Sequence, residues 1–106
     1  MSSPLKISVC DTINSLLCVD YDDAEKIYTL LDQALSSGTP VELSFLSVEL
    51  IVSSFLNTAI GKLCLKYPSQ KIRSEIVFSD VSDTDRMLID RVIENAEKFY
   101  ARAKNA

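Results

Sequence analysis

The sequence predicts an α/β fold, a small sandwich in which a short central sheet of three or four strands carries three helices in the order β-α-β-α-β-α. Three observations carry that expectation. Apolar residues alternate along short stretches near Lys6 to Cys10, Val41 to Phe45 and Glu75 to Ser79. After each stretch come longer ones in which apolar residues recur at steps of three and four. Glycine, proline and serine fall at several of the joints, where chain direction has to change. The 106 residues, 47% of them apolar, fit one domain over 1–106, with 1–5 and 104–106 expected to fray.

Along the chain, Ile7 and Val9 point one way in the first strand. Asp11 to Val19 holds Ile13, Leu16, Leu17 and Val19 without a clear period, and reads as a second short extended piece or a packed loop. From Tyr21 the stripe Ala24, Ile27, Tyr28, Leu31, Ala34 and Leu35 predicts the first helix. Asp22 with Glu25 makes a variant capping box, Asp20, Asp22 and Asp23 suit the positive end of the dipole, and Gly38 supplies a left-handed end before Pro40. Val41 to Phe45 then enters the sheet.

Leu46 to Val52 is apolar without a period. Ser53 and Ser54 open a second helix with the stripe Leu56, Ala59, Ile60, Leu63, Cys64 and Tyr67, ended by Pro68. Gly61 inside it points to a close neighbour or to a tolerated surface position. A loop is expected from Pro68 to Arg73, then the last strand. Ser82 with Asp85 caps the final helix, whose broad stripe of Leu88, Val92, Ala96, Phe99 and Ala103, beside Ile89, Ile93 and Tyr100, predicts deep burial.

Composition removes several kinds of chemistry. There is no histidine, so the usual base of a Ser-His or Cys-His pair and the commonest transition-metal ligand are missing. Eleven Lys and Arg against fifteen Asp and Glu, a net charge of −4, argue against a general grip on nucleic acid or an electrostatic membrane anchor. Cys10, Cys18 and Cys64 are odd in number and scattered, which suits reduced thiols in the cytoplasm. Met1 to Lys6 lacks the pattern of a secretory signal, and Val48 to Leu65 is too interrupted by Glu49, Asn57 and Lys62 to span a bilayer. No catalytic residue, cofactor site or metal site is expected. Asp20, Asp22, Asp23 and Glu25 read as helix-start acids more readily than as cation ligands, since no EF-hand spacing is present.

The charge divides unevenly. Up to Ser53, Lys6 and Lys26 face eight acids, whereas from Ser54 onward nine bases face seven acids. Lys62, Lys66, Lys71 and Arg73 read as a solvated face or as a basic edge for an acidic partner. Phe45, Phe55, Phe78, Phe99 and Tyr28 are expected in the core, with Phe55 alternatively a partner-facing anchor.

The run from Val41 to Leu63, and within it Ser54-Phe55-Leu56-Asn57-Thr58-Ala59-Ile60-Gly61, resembles the central signature of the STAS-like family of bacterial domains. The Asp22 to Tyr28 start of the first helix and the Arg91 to Ala96 segment agree with it, so the resemblance runs from about Lys6 to Tyr100. More remotely, Val52-Ser53-Ser54-Phe55-Leu56 is similar to the Asp-Ser-Ser-Gly-Leu loop of the anti-sigma-factor antagonists. Ser53 falls at their phosphorylated serine, while Val52 stands in place of the Asp and Phe55 in place of the Gly. The resemblance implies a STAS-like sandwich and a partner-switching or adaptor role. The implied partner is an ATPase of the histidine-kinase-like class.

Taken alone, a serine at a helix start is a plain cap, a regulated phosphoserine or a polar contact at an interface. The expected site is therefore Val52, Ser53, Ser54, Phe55, Asn57 and Thr58, with Ser53 and Ser54 as phosphorylation candidates. The expected function is a non-enzymatic regulatory domain binding a protein partner there. A small-ligand or nucleotide-binding domain and a homo-oligomer joined through the last helix are the alternatives.

Overall fold

Residues 4–105 are described by the computed structural model, in the order β1 (Leu5–Ser8), α1 (Val9–Ile13), β2 (Leu17–Cys18), α2 (Tyr21–Ser37), β3 (Val41–Ser44), β4 (Leu50–Ile51), α3 (Ser53–Ala59), a 3-10 segment (Gly61–Leu65), α4 (Ser69–Glu75), β5 (Ile76–Ser79) and α5 (Asp83–Asn105). β1, β3 and β5 form a parallel sheet in the order β1-β3-β5. Their register aligns Ile7 with Leu43 and Leu43 with Phe78. Ile7, Val41, Leu43 and Ile76 are buried on one face, while Lys6 and Val77 point outward. Parallel strands are usually covered on both faces and wholly apolar; the alternation here leaves one polar face open.

The expectation of three helices is corrected to five, with the 3-10 segment besides. α1 occupies part of the ambiguous stretch: the Ser8 hydroxyl accepts from Asp11 N–H, and Asn14 closes the helix in the left-handed region. Five residues are too few to display a period. α4 replaces the expected loop, because Pro68 begins a helix as readily as it ends one and Ile72 is buried beneath it. The second expected helix is broken in two. α3 stops at Ala59, Leu63 and Cys64 reach the core from the 3-10 segment, and Tyr67, two residues past it, packs half-buried against the core. Gly61 lies against α5, where an added Cβ would sit 3.4 Å from Val92 Cγ1 and 3.5 Å from Ala96 Cβ, so the close-neighbour reading holds.

α2 follows its stripe, with Ala24, Ile27, Leu31, Ala34 and Leu35 buried and Gly38 closing it at φ 70°. Its start is capped by the Asp20 carboxylate on Asp23 N–H rather than by Asp22. Ser82 accepts from Asp85 N–H at the head of α5, as expected. The buried stripe of α5 is narrower than expected: Ile89, Val92 and Ile93 are buried, but Phe99 is 66% exposed. Phe99 lies near the end of a helix that outruns the core, so no element covers it. Leu5, expected to fray, starts β1 and donates its N–H to Pro40 O, and α5 runs on to Asn105. The expected fraying of 1–3 and Ala106 lies outside the described residues.

The three thiols are free. Cys18 and Cys64 are buried, and Cys10 is half-buried. Burial, with Cys10, Asp23 and Asp85 nearby, pushes the Cys18 thiol up to about 12. Maleimide labelling of the native protein near neutral pH is therefore expected to modify Cys10 alone, with all three thiols reacting in urea. Intact-mass measurement checks this, and early modification of Cys18 is the contrary outcome.

Candidate functional site

β1 and β3 both leave the sheet at a serine and come together again as a parallel ribbon, β2 with β4, in which Leu17 pairs with Leu50 and Cys18 with Ile51. Between the two pairings one chain makes α1 and the other makes a turn closed by Val48 N–H to Phe45 O. Glu49 N–H to Leu16 O and Val52 N–H to Cys18 O extend the ribbon to the first residue of the expected site. Cys18 and Ile51 face the core, so Leu17 and Leu50 face outward.

α3 starts from the end of this ribbon. Its cap is Val52, at φ −104° and ψ 152°, with no side-chain cap hydrogen bond. The plain-cap reading of Ser53 and Ser54 is thus corrected: they are the first two helical residues, past the position from which a hydroxyl reaches the free N–H groups. Both are exposed, and among the described residues neither hydroxyl has a hydrogen-bond partner. Phe55 and Leu56 are buried, which places Phe55 in the core and removes it as a partner-facing anchor. Asn57 is exposed, and Val52 and Thr58 are half-buried. A hollow of about 110 Å³ beside the step is lined by Val19, Tyr21, Ser54, Phe55 and Thr58. The site is thereby joined to the exit of β2 and the start of α2, which sequence reasoning missed. Its only signal was apolar density without a period on both sides of the ribbon.

The expected basic edge is largely consumed inside the chain. Lys62 Nζ lies 2.8 Å from Glu25 and 4.4 Å from the Tyr28 ring centre, Lys66 Nζ 3.0 Å from Asp32, Lys71 Nζ 2.7 Å from Glu75, and Arg73 2.8 Å from Asp90. The first two pairs tie the 3-10 segment to the acidic side of α2. Tyr21 donates to Glu25 and Tyr67 to Asp32, each at 2.6 Å. Lys62 and then Tyr21 hold the Glu25 carboxyl below its ordinary value, and Tyr67 and then Lys66 do the same for Asp32.

A carboxylate with a depressed folded pKa stabilises the fold above its unfolded value near 4 and loses that contribution as pH falls through the folded value. Glu25→Gln with Asp32→Asn is therefore expected to flatten the fall of stability below pH about 4, read as the urea midpoint against pH. An unchanged acid limb is the contrary result.

At the carboxyl end of the sheet, where open α/β sheets usually hold ligands, side chains tie β3 to the end of β5, while an open hollow of about 620 Å³ lies beside β1, lined by Leu5, Lys6, Ile7, Ser8, Asp11, Thr12 and Leu30. Buried Ser44 donates to Asp80 at 2.6 Å and accepts Leu46 N–H, and Ser79 donates to Glu42 at 2.8 Å. Among the described residues no helix is long and apolar enough to cross a membrane.

Compared with known proteins, the chain matches one family model, described as "STAS-like domain of unknown function (DUF4325)", over residues 23–86. The match is narrower than the resemblance first drawn, since β1, β2 and the Arg91 to Ala96 segment lie outside it. No curated protein and no solved structure matches the chain.

Proposed function

We propose that this chain, which belongs to the family of STAS-like domains of unknown function, is a non-enzymatic regulatory domain of the cytoplasm. It binds a protein partner through the step Val52 to Thr58, with Ser53 or Ser54 as the phosphorylated switch. The likeness of Val52 to Leu56 to the loop of anti-sigma-factor antagonists makes a histidine-kinase-like ATPase the first partner to test. The observation that carries this reading is the surface around the step: Val19 and Tyr21 stand exposed round a hollow they share with Ser54, whose hydroxyl, like that of the preceding Ser53, has no internal partner among the described residues. Exposed apolar groups next to accessible hydroxyls favour a docking surface over a ligand cavity. Phe55 and Leu56, held in the core, keep the step rigid. The ligand reading has less support, because Ser44 with Asp80 and Ser79 with Glu42 bond to one another across β3 and β5 and the hollow beside β1 is open rather than enclosed. The exposed Phe99 keeps the homo-oligomer as a second reading, tested by light scattering.

The deciding experiment places a photo-crosslinking residue at Thr58, and separately at the outward Val77, in protein expressed in its own cell. A discrete adduct to another protein at Thr58 alone, with phosphate found on Ser53 or Ser54, is expected. No adduct with both serines unmodified, or equal adducts at the two positions, refutes the reading.

A further inference from the structure

Leu17 and Leu50 are cross-strand partners, 44% and 50% exposed. Val19 (45%) and Tyr21 (62%), which share a hollow just past β2, and Leu16 just before it are exposed as well. Five of the large exposed apolar side chains thus gather on and beside one two-residue ribbon, where scattered exposure is the ordinary pattern.

The acids explain what such a face would accept. Of the eight acids up to Ser53, Asp23, Glu25, Asp32 and Glu42 each have a lysine within 4.0 Å. Among the described residues, Asp11, Asp20, Asp22 and Glu49 have none, and all four are exposed. Glu49 immediately precedes β4, while Asp20, whose carboxylate caps α2, and Asp22 follow β2, so three of the four acids without a lysine flank the apolar ribbon along the chain. The two lysines of that half, Lys6 and Lys26, are engaged with Glu42 and Asp23. An apolar centre with an anionic rim repels nucleic acid and anionic lipid and complements a cationic amphipathic protein segment.

The manner of docking is also restricted. Leu17 N–H donates to Ser15 Oγ at 3.0 Å, and Ser15 Oγ–H donates to Leu17 O at 3.3 Å. The backbone groups of Leu17 that point away from β4 are occupied, which blocks addition of a further strand at that edge. At that edge contact is left to side chains on the face.

We propose that the outer face of the β2–β4 ribbon, centred on Leu17 and Leu50 and rimmed by Glu49, Asp20 and Asp22, is the docking surface for a protein segment that presents apolar side chains flanked by lysine or arginine. This rests on the protein-binding reading above and names the chemistry of the partner. Leu16 to Asp22 all precede the residues matched by the family model, so most of the surface comes from outside the matched stretch.

The test is backbone amide NMR of the whole chain titrated with an amphipathic leucine–lysine peptide and its leucine–glutamate counterpart of equal length. The leucine–lysine peptide is expected to shift amides of residues 16–22 and 49–54, with weaker binding as salt rises. Leu17→Ser with Leu50→Ser is expected to lower affinity about tenfold. Because that double variant removes apolar packing, Glu49→Gln and Asp22→Asn provide a second readout, each lowering affinity about threefold and reducing the salt dependence. Equal binding of the leucine–glutamate peptide, shifts mapping elsewhere, capture by phosphatidylglycerol vesicles in preference to the peptide, or concentration-dependent shifts of the free chain at the ribbon each overturn the proposal. A partner crosslinked at Thr58 through an acidic segment would overturn this inference and leave the protein-binding reading standing.

Discussion

Leu56→Ala is expected to destabilise the fold by about 2–5 kcal/mol, the range for emptying a fully buried leucine site. Leu56 has no exposed surface, and the helix that carries it has little else to hold it. α3 is seven residues long with no side-chain cap, too short to persist by its own hydrogen bonding. Phe55, Leu56 and Ala59 are what fasten it to the core. Equilibrium unfolding in urea measures the loss as a lower midpoint with an unchanged slope. The companion result is a small one: Ser53→Ala is expected to stay within about 0.5 kcal/mol of the parent, because its hydroxyl makes no hydrogen bond in the fold. A loss near 1 kcal/mol, the usual value for a removed cap, would mean that Ser53 caps α3 after all. The pair separates the two duties of this stretch, the buried side holding the step and the exposed side remaining free for recognition.

Gly61→Val is expected to cost about 1–3 kcal/mol through overpacking. The first added carbon already stands 3.4 Å from Val92 Cγ1 and 3.5 Å from Ala96 Cβ, and the two further methyl groups have to enter the seam between the 3-10 segment and α5. Gly61→Ala should change stability much less, because its contacts are ordinary van der Waals distances and alanine restricts the unfolded chain. Combining Gly61→Val with Val92→Ala tests the mechanism. If the seam is the cause, the double variant loses less than the sum of the two single losses. Full additivity would place the cost elsewhere.

Legibility in the sequence followed the length of each element and the locality of its contacts. α2 has seventeen residues, an acidic start and a glycine end, so its stripe, its limits and its buried face were all readable. β3 and β5 alternate over enough positions to reveal their inward faces. α1, β2 and β4 have five, two and two residues, too few to repeat any pattern, and β2 and β4 exist because of hydrogen bonds made across the chain. The step at Ser53 was readable as a boundary and as a family likeness. Its cap was not, since whether Val52 or Ser53 takes that position depends on where the ribbon ends. Phe55 and Phe99 show the same limit: both were expected in the core, yet one is enclosed by it and the other projects near the end of a helix longer than the core it covers.

The sequence by itself determined the α/β class, the main helices with several of their ends, the family, and the absence of histidine chemistry, because each depends on residue type or on spacings within one turn or one strand. Tertiary structure alone decided how the charge is used. Glu25 read as part of a capping box and Asp32 had no legible use until the 3-10 segment and the residue after it laid Lys62 and Lys66 against them, while Asp20, Asp22 and Glu49 have no lysine or arginine within 4.0 Å among the described residues. Pairing across more than thirty residues is a property of chain closure, and no local pattern encodes which charges it neutralises and which it leaves at the surface.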